Sequence, residues 1–284
     1  MSAIFILARM TFVQAVRRRI VLTGLLLGLC FLVVYSIGFH MINVTSIVPP
    51  SVSDRTGIQN IINAEKSNGL FLAGLYAIAF LGIAMAALLG ADTLAGEIGS
   101  GTIQVVVTKP IRRSDVVLGK WLGFAGLLGL YLLFLSGGVV LSIFIQAGYL
   151  APHLPAGLVL IYLESLLVLS ISMLCSSRFS ALATGGVVFG LYGLAFIGGW
   201  IEQIGAALNS PTAVKIGILT SLIIPSEAVW RRAAFEMQSP VSGLLGLSPF
   251  GATSVPSLFM VAYAVLYLLV VLALTVRVFQ KRDL

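Results

Sequence analysis

The chain has 284 residues, 59% of them hydrophobic and 10% charged, with a net charge of +7 and a mean hydropathy of +1.08. A soluble domain carries roughly a quarter of its residues as charges, so this composition excludes an ordinary soluble enzyme or nucleic-acid-binding module. Continuous apolar blocks, rather than period-two alternation, exclude a transmembrane barrel and leave a polytopic helical protein.

The first segment, "ARMTFVQAVRRR" (Ala8–Arg19), places Arg9, Arg17, Arg18 and Arg19 ahead of an apolar run. That run, from Ile20 to Ile42, is longer than a signal-peptide core and lacks a small-x-small cleavage site, so it is a retained span. Six spans are predicted in all, approximately 20–40, 70–90, 121–146, 157–175, 181–200 and 257–276, in one transmembrane domain covering residues 1–284. With the N-terminus inside, twelve of the seventeen Lys and Arg residues fall in inner segments and five in outer ones. The excess of inward positive charge predicts that both termini are cytoplasmic and that the host is a cell (inner or plasma) membrane. The basic balance therefore needs no nucleic acid; the bilayer itself accounts for it.

Between the second and third spans lies "GEIGSGTIQVVVTKPIRRSDVVLGK" (Gly96–Lys120). Gly90, Asp92 and Glu97 predict an exit into water, and Gly99 and Gly101 weaken a helix. Ser100 or Thr102 can cap a short helix over Thr102–Thr108 with Ile103, Val106 and Val107 on one face, although Val105–Val107 also suits a strand. Pro110 ends this element and pushes Lys109 towards extended geometry. Ser114 is then the expected cap of the third span. A short apolar-faced element braced by two spans can transmit a push, which a flexible loop would dissipate.

Glu164 lies well inside the fourth predicted span. A charge at that depth costs on the order of 2.5–3.5 kcal/mol even on the mild insertion scale, and a protonated acid costs less. The acid is expected to face a cavity or a partner, either as part of a translocation or proton path or as a neutral group bonded to a helix neighbour. The long outer segment 201–256 contains two short pieces. Ala213–Ile224 is too short to span. Ser226–Met237 offers Glu227/Arg231 and Arg232/Glu236 as i,i+4 pairs. Interfacial or re-entrant helices along the outer surface are expected here, with an ordinary lid loop as the plain alternative. Trp230, Arg231 and Arg232 would then meet headgroups or an outer partner. Gly24/Gly28 and Gly186/Gly190 form GxxxG pairs that allow close helix approach. Cys30, Cys175, His40 and His153 have no disulfide or metal-ligand spacing, so no metal and no bound cofactor is expected.

The Gly96–Lys120 stretch is similar to the "GE…SGT…KP.SR…GK" pattern after the second span of ABC-2 type transporter permeases. The matching residues are Gly96, Glu97, Ser100, Gly101, Thr102, Lys109, Pro110, Arg113, Gly119 and Lys120. The basic start resembles that family's amphipathic inner-surface helix, and "VFQKRDL" (Val278–Leu284) its closing tail. Within the family the chain looks closest to the permeases that include the nitrous oxide reductase maturation permease. The resemblance implies two paired permeases, a homodimer or a paralogous heterodimer, in membrane lipid, each bound to a separate ABC ATPase. It implies that Thr102–Thr108 is a coupling helix, with Glu97, Gly101, Thr102, Ile103, Val106, Lys109, Pro110 and Arg113 forming the ATPase-coupling region, and that the complex is an exporter. The sequence contributes its own negative. A P-loop needs GxxxxGK followed by Ser or Thr, but Gly119-Lys120 precedes Trp121 and Ser114 stands at the first glycine position. ATP would enter through the partner, and this chain would be a transport subunit rather than an enzyme. A proton-coupled secondary transporter using Glu164, or a membrane scaffold without transport, are the competing readings, and the transported substrate is left open.

Overall fold

A computed structural model describes residues 3–44, 56–99, 112–239 and 254–281. The described residues form helices and connecting turns, with no strand among them. In chain order the helices are α1 (Ala3–Val16), α2 (Arg19–Val44), α3 (Thr56–Gly99), α4 (Arg113–Ala147), α5 (Leu154–Ser176), α6 (Ala181–Ala207), α7 (Pro211–Ile223), α8 (Ser226–Met237) and α9 (Leu258–Gln280). Six of them, α2 to α6 and α9, are long and apolar enough to cross a membrane. The predicted six-span helical architecture is therefore present.

The second span differs from expectation at its end. Its helix does not stop near Gly90 but runs without a break to Gly99. Gly90 is retained for packing rather than for termination: a Cβ there would stand 2.5 Å from Ser172 Cβ of α5. The hydroxyl of Ser172 donates to the Ala87 carbonyl at 2.7 Å. About two turns of helix away, a Cβ at Gly82 would lie 2.7 Å from Leu132 of α4 and 2.9 Å from Ser165 Oγ of α5. Glycines thus let α3 and α5 approach closely at the centre of the bundle, where dispersion contacts between backbones replace the hydrophobic drive that lipid cannot provide.

The other helices wrap this centre. Gly24 and Gly28 of α2 sit against Met85 and Leu135 within the same chain. Gly186 and Gly190 of α6 meet no atom within 4 Å, so this second GxxxG pair makes no contact within the described chain. α1 crosses α4 at Gly119 and Gly123, where added Cβ atoms would fall 2.6 Å from Leu7 Cβ and 2.7 Å from the Ala8 carbonyl oxygen. Thr11 and Ala15 of α1 are buried, while Phe5, Ile6, Met10 and Val13 are exposed. An apolar outer face beside Arg9 is what a helix lying in the membrane interface presents.

Polar contacts tie helix ends together. Arg18 at the start of α2 bonds Asp92 late in α3 at 2.9 Å. Arg113 at the start of α4 donates to the Gln280 carbonyl at the end of α9, at 3.3 Å. Ser114 does not cap α4: the N-cap position is Arg112, without a side-chain bond, and the Ser114 hydroxyl donates to Asp115 at 3.2 Å.

A buried acidic cluster around a re-entrant helix pair

α6 and α7 form a tight antiparallel hairpin joined through Asn209, which adopts a positive φ of 52°. The close approach is made by Gly198, Gly205 and Gly217, since a Cβ on any of them would collide with the opposite helix at Thr220, Ala213 or Glu202. Pro225 then breaks the path, and α8 leaves α7 at a bend of 108°. Neither helix crosses a bilayer alone: at about 1.5 Å per residue each is near 20 Å long, against about 30 Å of hydrocarbon. α7 turns apolar side chains outward, among them Leu219 and Ile223. α8 does the reverse. Glu227, Ala228, Val229, Trp230, Arg231, Ala233, Ala234 and Met237 are all buried.

This corrects the surface expectation for α8 but not for α7. The helices exist where predicted, but α8 is enclosed by α3, α5, α6 and α9, and Trp230 and Arg231 are 2% and 1% exposed. They do not reach headgroups. Ser226 is the first residue of α8, and its cap position is Pro225. Asn68 of α3, fully buried, holds the far end of α8. Its amide donates to the Met237 carbonyl at 3.0 Å and to the Tyr149 hydroxyl at 2.8 Å, and its carbonyl accepts from the Ser239 backbone at 3.0 Å. Burial pushes the Tyr149 phenol above its ordinary range, the Asn68 bond opposes this, and Glu65 adds to the rise.

The i,i+4 pattern in α8 is half correct. Arg232 pairs with Glu236 as spaced. Arg231 instead turns to Glu202 of α6, with Nη1–Oε1 at 2.6 Å and Nη2–Oε2 at 2.8 Å. Ser254 donates to Glu202 at 2.7 Å, and Ser221 of α7 accepts from Arg231 at 3.3 Å. This buried two-pronged pair clamps α6, α7 and α8 together. Only Nη2 makes a hydrogen bond to the carboxylate, while Nη1 is a close ionic contact, so the pair matters chiefly because losing either partner would strand a buried charge.

Freed from Arg231, Glu227 packs its stem against Gly199, where no Cβ would fit. Glu164 of α5 is the second acid enclosed in the span region. Both acids are buried, at 2% and 1% exposure. Glu164 Oε2, Ser165 Oγ, Ser226 Oγ and Glu227 Oε2 find no hydrogen-bond partner among the described residues. Buried polar groups are normally paired, so each of these atoms is a candidate for a functional role. Aromatic rings close the space around them. Tyr76 of α3 stands 4.9 Å from Trp230, centroid to centroid, and 6.4 Å from Phe196. Tyr192 lies 6.4 Å from Phe196, and Phe196 lies 6.4 Å from Trp200. Tyr76, Tyr192 and Phe196 also line a groove of ≈ 420 Å³, together with Leu27, Phe31 and Phe80.

Of the sequence-predicted positions, Glu164 is in this cluster. Arg113 lies at the opposite end of α4, bonded to α9. Glu97 belongs to the last turns of α3, and Gly101, Thr102, Ile103, Val106, Lys109 and Pro110 lie outside the described residues. Glu202, Glu227, Tyr76 and Tyr192 are additions from the structure. The signal for Glu227 was present as an acid following a proline in an apolar context, but helical spacing assigned it to Arg231. Among the described residues no three His, Cys, Asp or Glu side chains gather as a metal site.

The comparison with curated proteins returns no match. The family model described as "ABC-2 family transporter protein" matches residues 6–284, which is nearly the whole chain and includes every element of the bundle. The chain therefore belongs to the ABC-2 transporter family and is a multi-pass membrane permease of an ABC transporter, a family whose permeases work with an ABC ATPase.

Proposed function

We propose that this chain is the membrane half of an ATP-driven exporter, seated in the cell membrane with both termini in the cytoplasm, paired with a second permease and driven by a separate ATPase. The observation that carries the reading is the continuity of α3. One unbroken helix runs from the acidic cluster, where it contributes Tyr76, to Glu97 and Gly99 at the edge of the motif expected to meet the ATPase. A helix transmits axial displacement because each peptide is hydrogen-bonded to the next turn. The segment 100–111 joins this helix to α4, and Arg113 links the start of α4 to the end of α9. A push on that segment is thus applied to three spans at once. Glu164 and α8 are the parts that line and gate the path, because Glu164, Ser226 and Glu227 carry unpartnered polar atoms within the span region.

The test begins by purifying the tagged chain in mild detergent from its native membranes. A P-loop ATPase is expected to co-elute in stoichiometric amount. In vesicles containing the pair, Glu97→Lys or Gly101→Pro is expected to lower transport about tenfold or more while ATP hydrolysis persists, since a charge reversal or a helix breaker at the joint removes the mechanical link rather than the motor. Full transport by both variants would contradict the coupling role. Solute flux driven by a proton gradient, with no ATPase present, would overturn the reading in favour of secondary transport.

A further inference from the structure

α1 packs on α4 with one side. Leu7, Ala8 and Thr11 occupy the space over Gly119 and Gly123 of α4, and Thr11 and Ala15 are buried. The opposite side is open: Phe5, Ile6, Met10 and Val13 are 46–57% exposed. A groove of ≈ 350 Å³ runs along it, lined by Phe5, Ile6, Arg9, Met10, Val13 and Gln14. These positions recur as adjacent pairs every four residues, so they stay on one face through about two and a half turns. Only Arg17 and Arg18 separate α1 from α2, which is long and apolar enough to cross a membrane. Chain continuity therefore puts this face at the edge of the bilayer, where acyl chains can cover its apolar side chains.

The charge of this region has one sign. No Asp or Glu precedes Asp54 in the chain. Arg9, Arg17 and Arg19 are exposed, and none of their side chains has an ion pair or hydrogen bond among the described residues. Arg18 differs, being paired with Asp92. Asp115, in the first turn of α4, accepts from the Ser114 hydroxyl. Arginine stems lie along apolar surface while the guanidinium reaches the headgroup level, and the guanidinium fork fits phosphate oxygens. A zwitterionic headgroup brings its own cation beside the phosphate and so offsets less of the arginine charge. A soluble acidic protein would answer the arginines but leave the apolar face at the bilayer edge uncovered. A phospholipid with net negative charge answers both.

We propose that the outer face of α1 is a binding surface for acidic phospholipid, with an acyl chain along the Phe5–Met10–Val13 groove and the phosphate held by Arg9. Arg17 and Arg19, at the joint with α2, add to the attraction. The lipid is a partner of the folded chain, not its cargo, so the inference stands apart from the transport reading above. It also gives the seam between α1 and α4 a second support, since the lipid holds α1 from the side that α4 does not touch.

The experiment places a fluorescent reporter on the face, Phe5→Trp, one helical turn from Arg9. The full chain is reconstituted in phosphatidylcholine vesicles, in which a fraction of the lipid is replaced by chain-brominated phosphatidylglycerol or chain-brominated phosphatidylcholine. The signal of Trp121, Trp200 and Trp230 is subtracted with the parent chain. Quenching of the added tryptophan is expected to give phosphatidylglycerol a relative association constant about fivefold or more above phosphatidylcholine, the attraction of one arginine near an anionic surface. Raising the salt from about 0.1 M to about 1 M, which shortens the screening length from about 10 Å to about 3 Å, is expected to lower that preference. Arg9→Gln combined with Arg17→Gln is expected to bring it close to unity. Both positions are exposed and unpaired, so the bundle does not depend on them. Lys215→Gln, an exposed cation on α7, changes the net charge equally per residue and is expected to leave the preference intact. Equal quenching by the two brominated lipids overturns the proposal. So does a preference that survives the double arginine variant, or one that Lys215→Gln removes as well.

Discussion

Arg231→Met lowers the stability of the folded bundle by about 3–5 kcal/mol, because it leaves Glu202 buried and uncompensated. The pair is almost wholly enclosed, with side chains 2% and 5% exposed, so solvent cannot replace the lost partner. Glu202→Met is expected to act similarly by stranding the guanidinium. The double variant Arg231→Met with Glu202→Met is expected to recover most of the loss, since a well-packed apolar pair of similar volume avoids desolvation altogether. Thermal unfolding of the four proteins in one detergent gives the cycle. A single-variant loss under about 1 kcal/mol, the size usual for a solvated surface pair, would mean that the clamp is not buried in the protein as it exists. The double variant also separates stability from gating. If it is stable but does not transport, the pair has to open during the cycle.

Gly123→Leu detaches α1 from α4. A Cβ at this position stands 2.7 Å from the Ala8 carbonyl oxygen and 2.8 Å from Thr11 Cβ. The first of these is backbone, which cannot swing aside as a flexible side chain can. Overpacking of a close contact typically costs about 1–3 kcal/mol, and α1 has only this seam, together with its junction to α2, to hold it. The expected result is faster tryptic cleavage at Arg9, an exposed site that helical structure protects, together with weaker ATPase stimulation if α1 braces the inner end of α4. Gly126→Leu is the matched control, since its added Cβ would meet only Phe12 at 3.8 Å and α1 should remain in place. Equal cleavage in both variants would show that the seam does not anchor α1.

Some of this was legible in the residues themselves. Spans were readable because burial in lipid is close to additive: about 20 apolar residues in a row cross a membrane whatever surrounds them. Glu164 stood out for the same reason, as a charge where additivity predicts a penalty. The motif from Gly96 to Arg113 carried the family. What failed depended on partners distant in sequence. Arg231 had Glu227 at ideal helical spacing, yet it pairs with Glu202, 29 positions away, through one hydrogen bond and one close ionic contact. The end of α3 was placed near Gly90 because glycine and acids usually weaken a helix. The need for a residue without a side chain against Ser172 supplies a second reason for that glycine, one that local propensity does not contain.

The sequence by itself determined six spanning helices, their order, the uneven distribution of positive charge among the loops, the absence of a P-loop motif and the presence of one acid deep in a span. Each of these is a local or additive property of the chain. Only the tertiary structure decided that α8 turns inward rather than lies on the surface, and that Glu227 is buried in the bundle as Glu164 is. It alone decided that the single nearby arginine is committed to Glu202. Those are matters of which groups meet once glycines let the backbones close, and the net charge of a buried cluster is a sum over such meetings.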